Sequence, residues 1–430
     1  MLLIYQLSIF LYNFLIKIAS NFNQKAKKIY LGRKKNFAIL EKNKSQYFDN
    51  QNVAWFHCAS LGEFEQARPV LEGFKQNYPD FKILLTFFSP SGYEVQKSYA
   101  CADVVVYLPS DSKENAQKLL QIAQPRIVFF AKYEFWHFYL SEIKKQNIPC
   151  ILFSAIFREK QVFFRFYGGF YRKMLNCFSA IFVQNNHSKT LLATILDEDK
   201  MQNVFVGGDT RFDRVKAICE AKKEIIIAEK FKNNQPLLII GSSWDEDLTV
   251  LVPFINDFQK QFSLKIIIAP HEINQQKIKE LRQKINKKTT LFSENSTENS
   301  QNDNLENIQK NDVLIIDNVG MLSSLYAYAD FAFVGGGFKQ GLHNILEAAT
   351  FGLPIFFGNK AYQKYQEATD LITQKGAFAV VNNKDFERQF LEIYQNKVAH
   401  EQAQKACLGY VNANLGATQL ILEKIKKELF

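Results

Sequence analysis

Short apolar, β-rich runs alternate with polar, helix-length segments, and the alternation occurs twice along the chain. After residue 50 the runs fall at Val53–Cys58, Lys82–Phe87, Val104–Leu108, Ile127–Phe130, Cys150–Phe153 and Ala180–Val183. They restart at Leu237–Ile240, Lys265–Ala269, Val313–Ile316, Phe331–Val334, Pro354–Phe357 and Ala377–Val381. Strands that are apolar on both faces and separated by helices belong to parallel sheets covered on both sides. The pattern therefore predicts two doubly wound α/β domains. A chain of 430 residues is also longer than one core usually organises. The predicted boundaries are an anchor at 1–24, a first domain at 25–210, a charged linker at 211–235 and a second domain at 236–430. Two such domains facing each other would form a cleft at the carboxyl ends of both sheets, where ligands of open α/β sheets bind. The polar, low-complexity stretch Ser293–Asp312 reads as a surface loop or disordered insertion.

The amino terminus has its own pattern. Met1–Ile16 carries no charged side chain, and Lys17 follows. A spanning helix needs about 20 apolar residues, so the run is just long enough if Lys17 snorkels. Gln6, Asn13 and Lys17 share one helical face, which suits an in-plane interfacial helix equally well. No basic segment precedes the run, which argues against a secretory signal. Between Lys25 and Lys44 stand eight basic residues and one acid, Glu41, which account for +7 of the net charge of +10. That placement keeps the rest of the chain cytoplasmic by the positive-inside rule and fits an anionic inner-membrane surface. The basic stretch lacks interleaved stacking aromatics, so nucleic acid ranks last among partners.

Several chemistries lack their motifs. Neither half has G-x-G-x-x-G after its first strand, and no Walker A sequence occurs, which disfavours hydride transfer and P-loop chemistry. The six cysteines are scattered without a CxxC pair, and no histidine pair has i, i+4 spacing. No metal or other cofactor is expected.

Two constellations carry chemistry. In Trp55–Arg68, a strand ends at Cys58 and a helix begins near Leu61. Ser60 and Glu63 have capping-box spacing. The same position lets Glu63, at a strand-to-helix corner, accept a proton from a substrate hydroxyl. In Phe331–Pro354, a strand runs into Gly335-Gly336-Gly337 and then into a helix expected from about His343 to Phe351. Glycines before a helix terminus suit phosphate, and Glu347 one turn inside suits sugar hydroxyls. The alternative is a tight turn with Glu347 on the surface. Gly241-Ser242-Ser243, Pro270-His271-Glu272 and Asp317–Met321 follow other strands of the second half in the same manner.

Taken together, these residues resemble the 3-deoxy-D-manno-octulosonic acid (Kdo) transferases of lipopolysaccharide synthesis, glycosyltransferase family 30. The shared motifs run nearly end to end. S-x-G-E is Ser60–Glu63, and the family's E-L-W reads Glu134-Phe135-Trp136. N-L-K-F-D reads Asp209-Thr210-Arg211-Phe212-Asp213, followed by G-S (Gly241, Ser242) and D-x-x-G (Asp317–Gly320). G-G…H-N-x-L-E closes the set (Gly335, Gly336, His343, Asn344, Leu346, Glu347). The resemblance implies a GT-B fold of two Rossmann-like domains, inverting transfer of Kdo from CMP-Kdo to a lipid A precursor (lipid IVA), and no metal. It implies Glu63 as general base, with Glu134 and Arg211 stabilising the transition state. It further implies that Pro270 and His271, Val319, Gly320 and Met321, and Asn344, Ile345, Leu346 and Glu347 hold CMP. Three departures stand out: Arg211 replaces a Lys, Met321 stands where many relatives have Glu, and P-R-H-P-E is shortened to Pro270-His271-Glu272. The alternatives are a transferase for another activated sugar, heptosyl- or N-acetylglucosaminyl-transferase-like, or a catalytically inactive membrane scaffold.

Overall fold

Residues 1–258, 262–296, 307–339 and 341–429 are described by a computed structural model of the chain. Seven strands make the first sheet: β1 (Val53–Cys58), β2 (Lys82–Phe87), β3 (Val104–Tyr107), β4 (Ile127–Ala131), β5 (Cys150–Ala155), β6 (Ala180–Val183) and β7 (Val204–Val206). Their order is β3-β2-β1-β4-β5-β6-β7, and every pairing is parallel. Each residue of β1 is buried, because the strand is central and helices cover both faces. Alternate side chains feed two clusters: Trp55, Leu84 and Phe130 on one face, Phe56, Leu85 and Phe129 on the other. Phe56 and Phe129, paired across β1 and β4, stack at 4.2 Å.

The second sheet repeats the plan. It contains β8 (Leu237–Ser243), β9 (Lys265–Pro270), β10 (Thr289–Leu291), β11 (Val313–Ile315), β12 (Phe331–Val334), β13 (Ile355–Gly358) and β14 (Ala377–Val380), in the order β10-β11-β9-β8-β12-β13-β14. In each sheet the order reverses beside the unit's first strand, between β1 and β4 and between β8 and β12. Loops leaving strands on either side of such a reversal diverge and open a binding crevice. The two sheets thus bear out the doubly wound reading of both halves. β7 and β10 were not expected from the sequence; each is a three-residue edge strand, too short to carry a hydrophobic period.

Two compact units divide the chain: Met1–Arg214 with Asn414–Phe430, and Val215–Ala413. The sequence reading carried the second domain to residue 430, whereas the last residues return to the first unit. Asp213 makes this return specific by accepting the backbone N–H groups of Gly416 (2.8 Å) and Thr418 (2.7 Å), at the start of helix Ala417–Leu429. Ile421 and Ile425 of that helix are fully buried in the cluster around Phe56 and Phe74. The expected linker at 211–235 is mostly helical, as Arg211–Glu220 and Ile226–Lys232. Half of the insertion expected at Ser293–Asp312, residues 297–306, lies outside the described residues; its first three residues form a short 3-10 turn.

At the amino terminus, α1 (Leu2–Ala19) contains no fully buried residue. Among the described residues it is the one helix long and apolar enough to cross a membrane. The basic stretch is a second helix, α2 (Gln24–Tyr47), whose N-cap Asn23 accepts from the N–H groups of Lys25 and Ala26. Ala26, Ile29 and Leu40 face inward, and the lysines point to solvent.

The carboxyl-terminal return has a measurable consequence. Ile425→Ala removes a fully buried side chain from the first unit, at an expected cost of about 2–5 kcal/mol. Hydrogen exchange should quicken in the amides of β1 and β4 and stay unchanged in β8 and β12. Faster exchange in the second sheet alone would contradict the assignment.

Candidate active site

The chain leaves β1 through Ala59 and Ser60 and enters α3 (Leu61–Asn77). Ser60 is extended, and the capping box is formed: the Ser60 N–H donates to Glu63 Oε2 at 3.0 Å. The bland reading of Glu63 is therefore true, yet it does not exhaust the residue. Its carboxyl is half-buried and its pKa is raised. Burial is the main cause and the Glu134 carboxylate adds to it, while His57, Lys132 and a backbone N–H bond at Ala59 pull the other way. A carboxylate shifted in this direction is a stronger base than a solvated one.

Glu134 comes from the loop after β4, across the strand reversal from Glu63. It is 7% exposed, and two donors converge on its Oε2: His57 Nε2 at 3.0 Å and Trp136 Nε1 at 2.7 Å. The other nitrogen of His57 is held as well. Thr86 Oγ1 accepts from Trp55 Nε1 at 2.8 Å, and its hydrogen has His57 Nδ1 at 2.8 Å or the Phe56 carbonyl at 3.4 Å to choose from. Both His57 nitrogens are thus engaged, Nδ1 with Thr86 and Nε2 with Glu134. Two carboxylates thus share a corner. One is held by two side-chain donors, and its charge bears on the other.

Arg211 sits beyond β7. Asp209 accepts from its Nε at 2.8 Å and from its backbone N–H at 2.9 Å, and also from Gln66 of α3 at 3.0 Å. Thr210 Oγ1 donates to the Gln66 carbonyl at 2.6 Å. The Asp209–Asp213 loop is therefore fastened to α3 one turn beyond Glu63. Tyr133, next to Glu134, feels both Glu63 and Asp209, and its hydroxyl accepts from Arg158 at 3.4 Å. The Glu134 carboxylate thus bears on Glu63, and the segment that carries Arg211 is tied to α3 through Gln66.

In the second unit, β8 ends at Ser243 and is followed by Trp244. The Trp244 indole stacks on His271 (4.3 Å) and donates to His343 Nε2 at 2.8 Å; the two imidazoles lie 4.5 Å apart. This brings His271, at the end of β9, and His343, after the triple glycine, onto one platform. Burial and the neighbouring His271 lower the His343 pKa to about 4. A second group forms around Glu347, which accepts from Ser323 Oγ at 2.5 Å and from the Asn344 amide at 3.2 Å. Ser323 lies in the turn after Val319–Met321, so those residues and Asn344 adjoin through Glu347. Val319 is 83% exposed, and Gly320 has φ +90°.

Two expectations need correction here. The triple glycine is not an open set of N–H donors: Gly335 N–H bonds the Gly241 carbonyl at 2.9 Å, and Gly336 N–H bonds Asp247 Oδ2 at 2.8 Å. The glycines are required by close backbone approach instead. A Cβ on Gly335 would stand 2.2 Å from the Ser242 carbonyl oxygen, and one on Gly337 would stand 2.5 Å from that of Gly358. The following helix is also shorter than expected, Leu346–Thr350, because Asn344 Oδ1 turns to accept the Leu346 N–H at 3.2 Å. Ile345 and Leu346 are buried, which leaves only their backbone for any ligand.

Sequence reasoning missed Trp244 and Asp247, which follow directly on Gly241-Ser242-Ser243. Asp247 is fully buried at the third position of helix Asp245–Phe258 and accepts the Trp244 N–H at 2.9 Å with the oxygen that also holds Gly336. Its other oxygen, Oδ1, has no partner. An acid three residues after a strand-to-helix corner was the available signal, the same one that drew attention to Glu63. His57 and Thr86 were also missed; they lie inside strands, where the hydrophobic pattern gives no reason to single them out.

Residues 32–214 match the family model described as 3-deoxy-D-manno-octulosonic-acid transferase (kdotransferase). The chain is 27% identical over 353 residues to the 3-deoxy-D-manno-octulosonic acid transferase of Aquifex aeolicus, covering 81% of this chain and 87% of that one. It is 25% identical over 382 residues to the Haemophilus influenzae enzyme of the same name, covering 87% of each. Among solved structures, a UDP-N-acetylglucosamine 2-epimerase superimposes with a TM-score of 0.58 at 12% identity, covering 87% of this chain and 95% of the other. The corresponding epimerase of Rickettsia bellii gives 0.52 at 14% identity, with 88% and 97% covered. These structural likenesses establish the fold alone.

Asp247 provides a test of the second unit. Burial raises its pKa to about 6, against the two backbone N–H bonds that favour its charge. A carboxyl raised above its unfolded value stabilises the fold while protonated, and that contribution is lost as pH rises through about 6. Asp247→Asn, neutral at every pH, should therefore raise the denaturation midpoint of the second unit at pH 8 and change it little at pH 4. An equal effect at both values would contradict the buried-charge account.

Proposed function

We propose that this chain is a Kdo transferase that transfers Kdo from CMP-Kdo to the lipid A precursor lipid IVA, by inverting single displacement at the cytoplasmic face of the inner membrane. The observation that carries the reading is the carboxylate pair at the β1–β4 corner, within the residues matched by the family model. Glu63 takes the proton of the acceptor hydroxyl as that oxygen attacks the anomeric carbon of Kdo. The bond to the CMP phosphate oxygen breaks in the same step. Positive charge builds on the sugar ring, and negative charge builds on the departing phosphate. Glu134 faces the first, and Arg211 neutralises the second. Arg211 replaces the family's Lys with the charge kept, and its fork is already oriented by Asp209.

For the donor, His271 with Pro270, the Val319–Met321 turn, and Asn344 with Glu347 are the proposed CMP contacts, Ile345 and Leu346 contributing backbone only. With the Gly335 and Gly336 N–H groups already engaged, the phosphate charge is assigned to Arg211 in place of the glycine loop. The positive charge needed at the leaving group is supplied by protein, and no metal is invoked. The apolar α1 and the basic outer face of α2 support attachment to an anionic membrane that carries the acceptor.

Incubation with CMP-Kdo and lipid IVA, read by product mass, tests the assignment; CMP should protect the protein against inactivation, and UDP or ADP should not. Glu63→Gln should lower kcat by about 10²- to 10⁴-fold and leave CMP binding unchanged. The base must be ionised to act, and its pKa is raised, so activity should fall with decreasing pH along a limb above the ordinary carboxylate range. Turnover retained in Glu63→Gln would remove the assigned base.

A further inference from the structure

α1 meets the first unit along one stripe only. Tyr5, Ile9, Tyr12, Asn13 and Ile16 are half-buried, spaced by three and four residues, while Leu3, Leu7, Phe10 and Leu11 are exposed. Its inward contacts converge on the segment that carries Glu134. The Tyr5 hydroxyl donates to Asp111 Oδ2 at 2.5 Å and accepts the His137 N–H at 3.3 Å. Asp111 accepts the next two N–H groups, from Phe138 and Tyr139, both at 3.1 Å. These belong to the first turn of helix His137–Lys145, whose N–H groups have no acceptor within the helix. Tyr5 and Asp111 together therefore fix the start of the helix that follows Glu134, Phe135 and Trp136.

A second path reaches the same place from the opposite side. The Tyr12 ring stacks on Phe88 (5.8 Å, 25°), and Phe88 stacks on Trp136 (4.9 Å, 25°). The Trp136 indole donates to Glu134 Oε2. From α2, the Arg33 guanidinium covers Phe88 at 4.6 Å and donates to Asn13 Oδ1 at 3.5 Å, while Ser110 Oγ donates to the same oxygen at 2.9 Å. A helix serving only as an anchor would need none of these contacts.

We propose that Tyr5 and Tyr12 are positioning residues for Glu134. The docked stripe of α1 sets the 134–139 segment through Asp111 on one side and through the stack Tyr12–Phe88–Trp136 on the other. The consequence for catalysis rests on the Kdo-transfer reading; the contact itself does not. Lipid that covers the outer face of α1 and holds the helix in place thereby also holds Glu134.

The test uses the full-length protein in detergent with detergent-dispersed acceptor, so that membrane attachment does not limit the rate. Labelling tryptophan with nitrogen-15 gives three indole N–H signals, from Trp55, Trp136 and Trp244, with that of Trp136 identified by its loss in Trp136→Phe. Tyr12→Ala and Tyr5→Phe should each displace or broaden the Trp136 signal. The Trp244 signal should not move, and that of Trp55 reports an intact first unit. Both variants should lower kcat by about 10- to 100-fold with KM for both substrates within about twofold. Tyr12→Phe, which keeps the ring, should restore both readouts. An unmoved Trp136 signal in both variants would overturn the proposal, as would a moved signal with unchanged kcat. If the wild-type protein transfers no Kdo, the activity reading fails separately, and the indole signal still decides the contact.

Discussion

A parallel sheet whose strand order reverses beside its first strand leaves two strand ends adjacent with their loops turned apart, and the candidate chemistry depends on that constraint. β1 and β4 are neighbours in space although two strands separate them in sequence. Glu63 leaves one end and Glu134 the other. Two carboxylates in one partly buried corner cannot both be ionised at ordinary pH without a cost. The structure distributes that cost unevenly. Glu134 receives the indole of Trp136 and the imidazole of His57, which is itself held by Thr86. Glu63 receives a backbone N–H and takes up the strain as a raised pKa.

The second unit uses the same local device for another purpose. Asp247 stands at the third helical position after β8, as Glu63 does after β1, and each turns back to accept the N–H of the residue that caps its helix. Burial raises the pKa of both. Asp247, however, spends the same oxygen on Gly336 and so ties the loop after β12 to the end of β8 across the second strand reversal. The triple glycine follows from that arrangement: it lets the loop pass against the backbone of Ser242 and Gly358. Beside it stand the platform of Trp244, His271 and His343 and the group around Glu347.

Much of this was legible in the residues. Strands such as Val53–Cys58 and Lys265–Ala269 announce themselves because central parallel strands are apolar throughout, and the corner after β1 follows from a strand, small residues and a capping box. The reversal of strand order has no local signal, so the meeting of Glu63 with Glu134 rested on family resemblance until the topology placed their strands side by side. The return of the last helix to the first unit was illegible for the same reason: Asp213 and Gly416 are far apart in sequence, and nothing near either one names its partner. The glycine loop misled because glycine serves close packing and anion binding equally well. The difference lies in Asp247, whose burial cannot be read from an acidic run. On α1, the polar stripe of Gln6, Asn13 and Lys17 suited an in-plane interfacial helix or a span; that its Asn13 bonds Arg33 and Ser110 was not legible.

The central claim is that burial, with the Glu134 carboxylate adding to it, raises the pKa of Glu63 at this corner. Carbon-13 NMR titration of the Glu63 side-chain carboxyl tests it directly, in the wild-type protein and in Glu134→Gln. The account predicts a wild-type midpoint above that of an ordinary glutamate, and a lower midpoint in the variant, since burial remains but the neighbouring charge is gone. A midpoint that is ordinary in the wild type, or unmoved by the substitution, would contradict it.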